Sequence, residues 1–272
     1  MLSLIKEMLS YPFIIRTFIV GTLVCICAAL LGVSLVLKRY SMIGDGLSHV
    51  GFGALAVATA LNWAPMAVAM PVVILTAFFL LRMSENGKLK GESAVAMLSS
   101  SALAIGVMVM SFSKGMNIDV YNYMFGSILA VTKNDVLISA VLSAVVIILY
   151  IFFYTKIFAV TFDETFAKAT GTKAGLYNML LALLTAVTIV VGMRLMGSLL
   201  ISSLVIFPAL TSMRLFKSFK SVVISSAILS IVCFVVGITV SFLFSTPAGA
   251  SVVCTNLAVY LLFCLFRISS TV

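Results

Sequence analysis

Charge is the first thing this chain lacks. Only 9% of its 272 residues are Asp, Glu, Lys or Arg, where a soluble domain carries about 25%. Eight acids and 17 bases cannot solvate a globular surface of this size, so a water-soluble fold is excluded. There is one histidine, His49, which excludes a histidine-rich catalytic zinc site within a single chain, and no HExxH sequence occurs. The phosphate-binding pattern GxxxxGK[ST] is missing too: Gly87-Lys88-Leu89 has neither the spacing nor the hydroxyl. This chain is therefore not expected to bind ATP by itself. Its five cysteines form no CxxC pair and all fall within apolar runs, so they read as small buried hydrophobes rather than ligands or disulfides. No loop is long enough to fold as a soluble domain, and there is no internal repeat or low-complexity tract. The first apolar run is followed by many others and lacks a small-residue cleavage site, so it reads as a crossing rather than a signal peptide.

What the chain has is hydrophobic length. It is 63% hydrophobic with a mean hydropathy of +1.28. Apolar segments lie at Thr17–Leu37, Leu47–Asn62, Pro65–Leu81, Ala94–Phe112, Val136–Tyr154, Gly175–Val191, Gly197–Met213, Val222–Phe244 and Gly249–Phe266. Each is near the ~20 residues needed to cross a ~30 Å hydrocarbon core. The reading is an all-α polytopic membrane bundle of about nine transmembrane helices, with residues 1–272 forming a single membrane domain. Asn117–Val131 is too short and polar to span and is expected to be an interfacial helix on the outer side. With the N-terminus outside, Lys6, Arg16, Lys114, Lys133 and Arg194 fall outside, and the other twelve of the 17 bases fall inside. The positive-inside rule favours this orientation. The net charge of +9 is thus accounted for by membrane topology and does not point to nucleic acid.

Three stretches carry chemistry. In Gly44-Asp45-Gly46-Leu47-Ser48-His49, the carboxylate and the imidazole are four residues apart and share one helix face. Ionisable groups within membrane segments are costly and mark functional sites by default. Asp and His suit a divalent transition-metal ion, Zn2+ included. The pair is only half of a tetrahedral site, which a two-fold dimer would complete. The alternative is that Asp45 is an N-cap and His49 a packed core residue. The second stretch, Phe162 to Gly171, reads as a short amphipathic helix on the inner side. Asp163 is its cap, Gly171 its stop, and Phe162 and Phe166 an apolar i,i+4 pair for a partner's groove. The alternative is a helix lying on the membrane surface. The third, Gly197 to Thr211, combines hydroxyls with Pro208 and is expected to be broken or kinked, as helices lining transport paths often are.

Taken with Tyr123-Met124-Phe125-Gly126-Ser127-Ile128-Leu129 and Thr246-Pro247-Ala248-Gly249-Ala250, these motifs make the chain resemble the membrane permease subunits of bacterial ABC-type zinc/manganese importers. The resemblance spans most of the chain. It implies the fold of type II ABC importers and a homodimer in the bacterial cytoplasmic membrane. It also implies two cytoplasmic ATPase subunits that bind the ATP and an external metal-binding protein. Zn2+ or Mn2+ would be transported substrate, with no permanent cofactor, and the chain would not itself be an enzyme. The family's metal-contacting Asp and His fall on Asp45 and His49. Its coupling helix, which seats on the ATPase, falls on residues 162–171, with Phe162, Asp163, Glu164, Phe166, Lys168 and Gly171 as the contact set. Zinc comes first on the wording of Tyr40 to His49, then manganese, then iron. Two other functions compete: a proton-coupled secondary transporter without an ATPase, and an intramembrane hydrolase. The hydrolase is disfavoured because Ser48 and His49, adjacent on a helix, point about 100° apart.

Overall fold

The computed structural model describes residues 11–85, 91–112, 126 and 133–269. Apart from Gly126, the proposed interfacial stretch Asn117–Val131 lies outside them. The described chain is helical and forms no strand. In hydrocarbon, backbone N–H and C=O groups find no water, so a lipid-spanning segment must satisfy them internally. The helices are α1 (Pro12–Leu37), α2 (Ser41–Ala60), α3 (Pro65–Glu85), α4 (Gly91–Phe112), α5 (Lys133–Phe152), α6 (Tyr154–Phe162), α7 (Glu164–Ala169), α8 (Ala174–Met196), α9 (Ser198–Leu215), α10 (Phe219–Phe244) and α11 (Ala248–Ser269).

Eight of these, α1, α3, α4, α5, α8, α9, α10 and α11, are long and apolar enough to cross a membrane. The ninth expected crossing corresponds to α2, whose 20 residues have the length to cross. Its Asp45, Ser48, His49 and glycines hold its hydropathy below that of the others. Two-thirds of the α1 and α8 spans are buried inside the chain, against 17% of the α4 span. The interior is thus α1 with α8 and α9. α5, α10 and α11 close around α1 and α9, while α2, α3 and α4 form a second group against α8 and α9. Large apolar side chains point outward along α5 (Leu137, Val141, Ile148) and α10 (Ile224, Ile228, Val232), where lipid tails would meet them.

Glycines set the closest crossings. A methyl on Gly32 would lie 2.1 Å from the Val205 carbonyl oxygen, so α1 and α9 touch backbone to backbone. A methyl on Gly53 would lie 2.6 Å from the Ala102 carbonyl oxygen, which seats α2 on α4. Small residues permit this approach where lipid offers no hydrophobic drive to association.

Two expectations are sharpened. α9 is not broken at Pro208, which lies within a continuous helix; the break falls at Gly197 (φ 87°, ψ 158°), the single residue between α8 and α9. That backbone conformation is open to glycine alone. The cysteines are unpaired, but they are not uniformly buried: Cys25, Cys27 and Cys233 are, while Cys254 is exposed on α11 and Cys264 half-buried. An apolar run places a thiol in the membrane without deciding whether it faces protein or lipid.

Candidate functional site

α2 begins at Ser41, and its N-cap is Tyr40, which makes no side-chain cap. Asp45 is therefore one turn inside the helix and is not a cap, so that alternative is removed. Asp45 and His49 stand on one face, with the carboxylate oxygen Oδ2 and the imidazole Nε2 3.6 Å apart. Their side chains are 39% and 26% exposed. Gly46 and Gly53 seat the neighbouring face of α2 against Val95 and Ala102 of α4, while the Asp45–His49 face stays partly exposed.

The spacing suits a shared cation. An ion at about 2.0–2.1 Å from each of two ligands in tetrahedral geometry holds the ligand atoms about 3.3 Å apart. The observed 3.6 Å is within a small side-chain rotation of that value. The Nδ1 nitrogen of His49 is buried and has no hydrogen-bond partner among the described residues. A ligating histidine ordinarily anchors its other nitrogen on a carboxylate, carbonyl or water. No described residue supplies that anchor. Among the described residues no group of three or more His, Cys, Asp and Glu gathers anywhere, so the described part of one chain brings two such ligands together here.

Ser48, between the two, is fully buried. Its hydroxyl lies 2.7 Å from the Asp45 carbonyl oxygen and 3.1 Å from the Ser202 hydroxyl, which lies 3.1 Å from the Ser198 carbonyl oxygen; one hydroxyl donates to the other, and the second donates to the carbonyl of its own helix. This hydroxyl chain fixes the α2 turn carrying the pair to the first turn of α9. Ser48 and Ser202 both fall within stretches singled out by sequence, but nothing local marks them as partners.

The region 162–171, expected on the inner side, holds the last residue of α6 and the whole of α7. Asp163 (φ −146°, ψ 95°) ends α6 and caps α7, its carboxylate accepting from the Phe166 N–H at 2.9 Å. The expected cap is therefore in place. The i,i+4 pairing of Phe162 with Phe166 is not, because the extended residue between them separates their helices. Phe162 lies with its ring centroid 4.9 Å from Phe158 and 5.9 Å from Phe219, and both Phe162 and Phe166 remain exposed, at 59% and 65%. Gly171 ends the segment with φ +81°, and its N–H and that of Thr172 return to the Lys168 and Ala167 carbonyls. This is the left-handed stop a glycine supplies.

Glu164 opens α7 and is held by three side chains: Lys168 Nζ at 2.8 Å, Lys38 Nζ at 3.1 Å and Asn178 Nδ2 at 3.1 Å. Burial opposes its charge, but these hydrogen bonds outweigh burial and draw its carboxyl down to about 2. Lys38, expected only as an inner-loop charge, is 6% exposed and turned into the protein. Sequence offered one faint sign of this cluster, the lone Asn178 in an otherwise apolar run.

The fold and the paired ligands can be set beside known proteins. Residues 10–267 match the ABC 3 transport family. The chain belongs to that family. It is a permease subunit, a transport component and not an enzyme, and a multi-pass protein of the bacterial cytoplasmic membrane. ABC 3 permeases work with ATPase and substrate-binding partners. The chain is 31% identical to a probable metal transport system membrane protein of Thermotoga maritima, covering 93% of this chain and 89% of that one. It is 27% identical to the manganese import system permease ScaB of Streptococcus gordonii (94% and 92% covered). To the high-affinity zinc uptake system membrane protein ZnuB of Haemophilus influenzae it is 25% identical (93% and 97% covered). PsaBC of Streptococcus pneumoniae, solved in complex with Fab, superposes with a TM-score of 0.86 at 28% identity, covering 96% of this chain and 94% of that one. The expected permease fold and the family resemblance are thereby borne out.

Proposed function

We propose that this ABC 3 permease carries a divalent transition-metal ion inward, zinc first and manganese next, along a two-fold axis between two copies of the chain. The observation that carries the reading is the Asp45–His49 pair. Two partly exposed metal-ligand groups stand 3.6 Å apart on one face of a helix packed among the apolar spans. A second copy would bring four ligands together, two carboxylates and two imidazoles. Relatives named for manganese and for zinc support the substrate class. Such a site serves transit rather than storage, because a path must release what it binds.

The whole chain then acts as one permease domain, driven from outside itself. ATP binds and is split on cytoplasmic ATPase subunits, and α7 with its flanking residues is the coupling helix that seats on them. The exposed Phe166 is the apolar contact, Lys168 and Asp163 frame it, and Gly171 sets the turn that follows. An external metal-binding protein delivers the ion.

The test is uptake by the chain reconstituted with its ATPase and cognate binding protein, zinc against manganese. Asp45→Ala and His49→Ala are expected to abolish uptake of both ions while the complex still assembles. Normal uptake by both variants would end the transit-site reading. Uptake without an ATPase that collapses with a protonophore would favour the proton-coupled alternative.

A further inference from the structure

α7 is lightly held by apolar packing. It rests on α6 and α8 through Val160, Ala167 and Ala174, a small cluster separate from the main core. Its tie to the rest of the bundle is polar and runs through Lys38, the C-cap of α1. The Lys38 ammonium donates to the Val160 carbonyl of α6 at 3.0 Å, to Glu164 Oε2 of α7 at 3.1 Å and to Asn178 Oδ1 of α8 at 2.7 Å. Its three N–H groups meet three acceptors on three helices. Asn178 also donates to Glu164, closing a triangle of side chains.

Lys38 is also the last residue of α1 before the turn into α2. Arg39 follows in a left-handed conformation (φ 60°), and the Tyr40 N–H returns to the Leu35 carbonyl. A non-glycine residue with this backbone angle is strained and persists only where its surroundings dictate it. Three residues after Lys38, α2 begins, with Asp45 in its second turn. The connection is short and stiff on both sides. A buried ion pair contributes little net stability once desolvation is counted, and its better-attested use is to fix one arrangement over others.

We propose that Lys38 is the joint through which movement of α7 reaches α2 and the Asp45–His49 pair. It is a positioning residue for transport, and it touches neither the ion nor the nucleotide. The proposal rests on the reading of α7 as the coupling helix. Displacement of Glu164 drags the ammonium, and through the Arg39–Tyr40 turn it shifts the start of α2. Lys168 shares Glu164 with Lys38 but is 61% exposed and lies on α7 itself, whereas Lys38 is 6% exposed and belongs to the end of α1.

The experiment uses the complete complex in proteoliposomes, with ATP hydrolysis and ion uptake measured on the same vesicles. K38M is expected to lower ions moved per ATP by about tenfold, within the usual range of coupling between sites. Assembly and hydrolysis should persist. K38R should recover part of the loss. A second readout needs no ion. In a background without the exposed Cys254 and the half-buried Cys264, M42C reports on the start of α2 and A169C on the end of α7. ATP should change the labelling rate at both positions in the parent chain, and K38M should lose the change at residue 42 alone. If residue 42 still responds to ATP in an assembled K38M complex, or if uptake and hydrolysis fall in parallel in that complex, the joint is refuted. If K38M does not assemble, E164Q serves instead: a drop of about threefold in the ratio supports the joint, and an unchanged ratio overturns it. Failure of the parent chain to move zinc or manganese would count against the transport reading, while the labelling result would still decide the joint.

Discussion

Replacing Gly32 by alanine tests the packing of α1 on α9 where it is tightest. An ideal Cβ there would sit 2.1 Å from the Val205 carbonyl oxygen and 2.9 Å from its carbonyl carbon. Relieving the contact to about 3.0 Å requires α1 and α9 to part by roughly 1 Å, and no side-chain rotation can help because the obstacle is backbone. Overpacking of this kind costs about 1–3 kcal/mol, against which alanine recovers about 0.5–1 kcal/mol of helix propensity. The net expectation is a loss of about 1–2 kcal/mol, after that propensity gain is set against the packing cost.

Two other glycines make the test internal. Gly175, in the first turn of α8, has nothing within 4 Å of an added methyl and no unusual backbone angle, so Gly175→Ala should be neutral or stabilise by about 0.5–1 kcal/mol. Gly171 has equal space but φ +81°, so Gly171→Ala should cost about 1–2 kcal/mol through backbone strain alone. Denaturant unfolding of the purified permease in mixed micelles measures all three. Unfolding of Gly32→Ala within about 0.5 kcal/mol of the parent chain, the scatter expected of an inert substitution, would refute the backbone contact as a packing constraint. So would a Gly175→Ala variant more damaged than Gly32→Ala.

Asp163→Ala removes the carboxylate that accepts from the Phe166 N–H and should loosen α7 by about 1 kcal/mol. Limited proteolysis between α6 and α8 should quicken, and an unchanged cleavage rate would refute the capping role. Glu164 ionises near 2 when folded against a reference of 4.5, so its depressed value favours the folded state above about 4.5, and that contribution is lost as pH falls from there toward 2. The parent chain should therefore lose stability against Glu164→Gln between pH 5 and about 3; parallel acid profiles would sink this assignment. Ser48→Ala should remove the Ser48–Ser202 hydroxyl contact between α2 and α9 without touching the metal ligands, lowering uptake several-fold while Asp45→Ala abolishes it. Equal loss in both would show that Ser48 does more than hold α2 to α9.

What sequence could disclose here depended on distance along the chain. Crossings are runs of about 20 apolar residues, and a run declares itself locally. The Asp45–His49 face, the Asp163 cap and the Gly171 stop are relations over three to eight residues, and all three are present in the structure. Lys38 with Glu164 and Asn178 spans 126 and 140 residues, and Ser48 with Ser202 spans 154. A lysine after an apolar run satisfies the positive-inside rule whether its side chain faces water or turns inward, so the rule could not separate the two. The Phe162–Phe166 pairing failed for a different reason. Helical spacing was read across a residue that ends one helix and caps the next, and Asp163 does both.

The arrangement also explains why half a site per chain suits a transit path. Within one protomer the Asp45–His49 distance is set by a single helical turn and changes little. Across a two-fold axis, the distance between pairs is set by how the protomers lie, which the motor can alter. Two fixed ligands with water completing the shell hold an ion loosely, and four converging ligands hold it more tightly. On the proposed reading, affinity is then tuned by moving rigid pairs relative to each other, with no need to deform either one. The glycine contacts that lock α2 onto α4, and the Ser48–Ser202 link that locks it onto α9, keep each pair rigid enough for that to work.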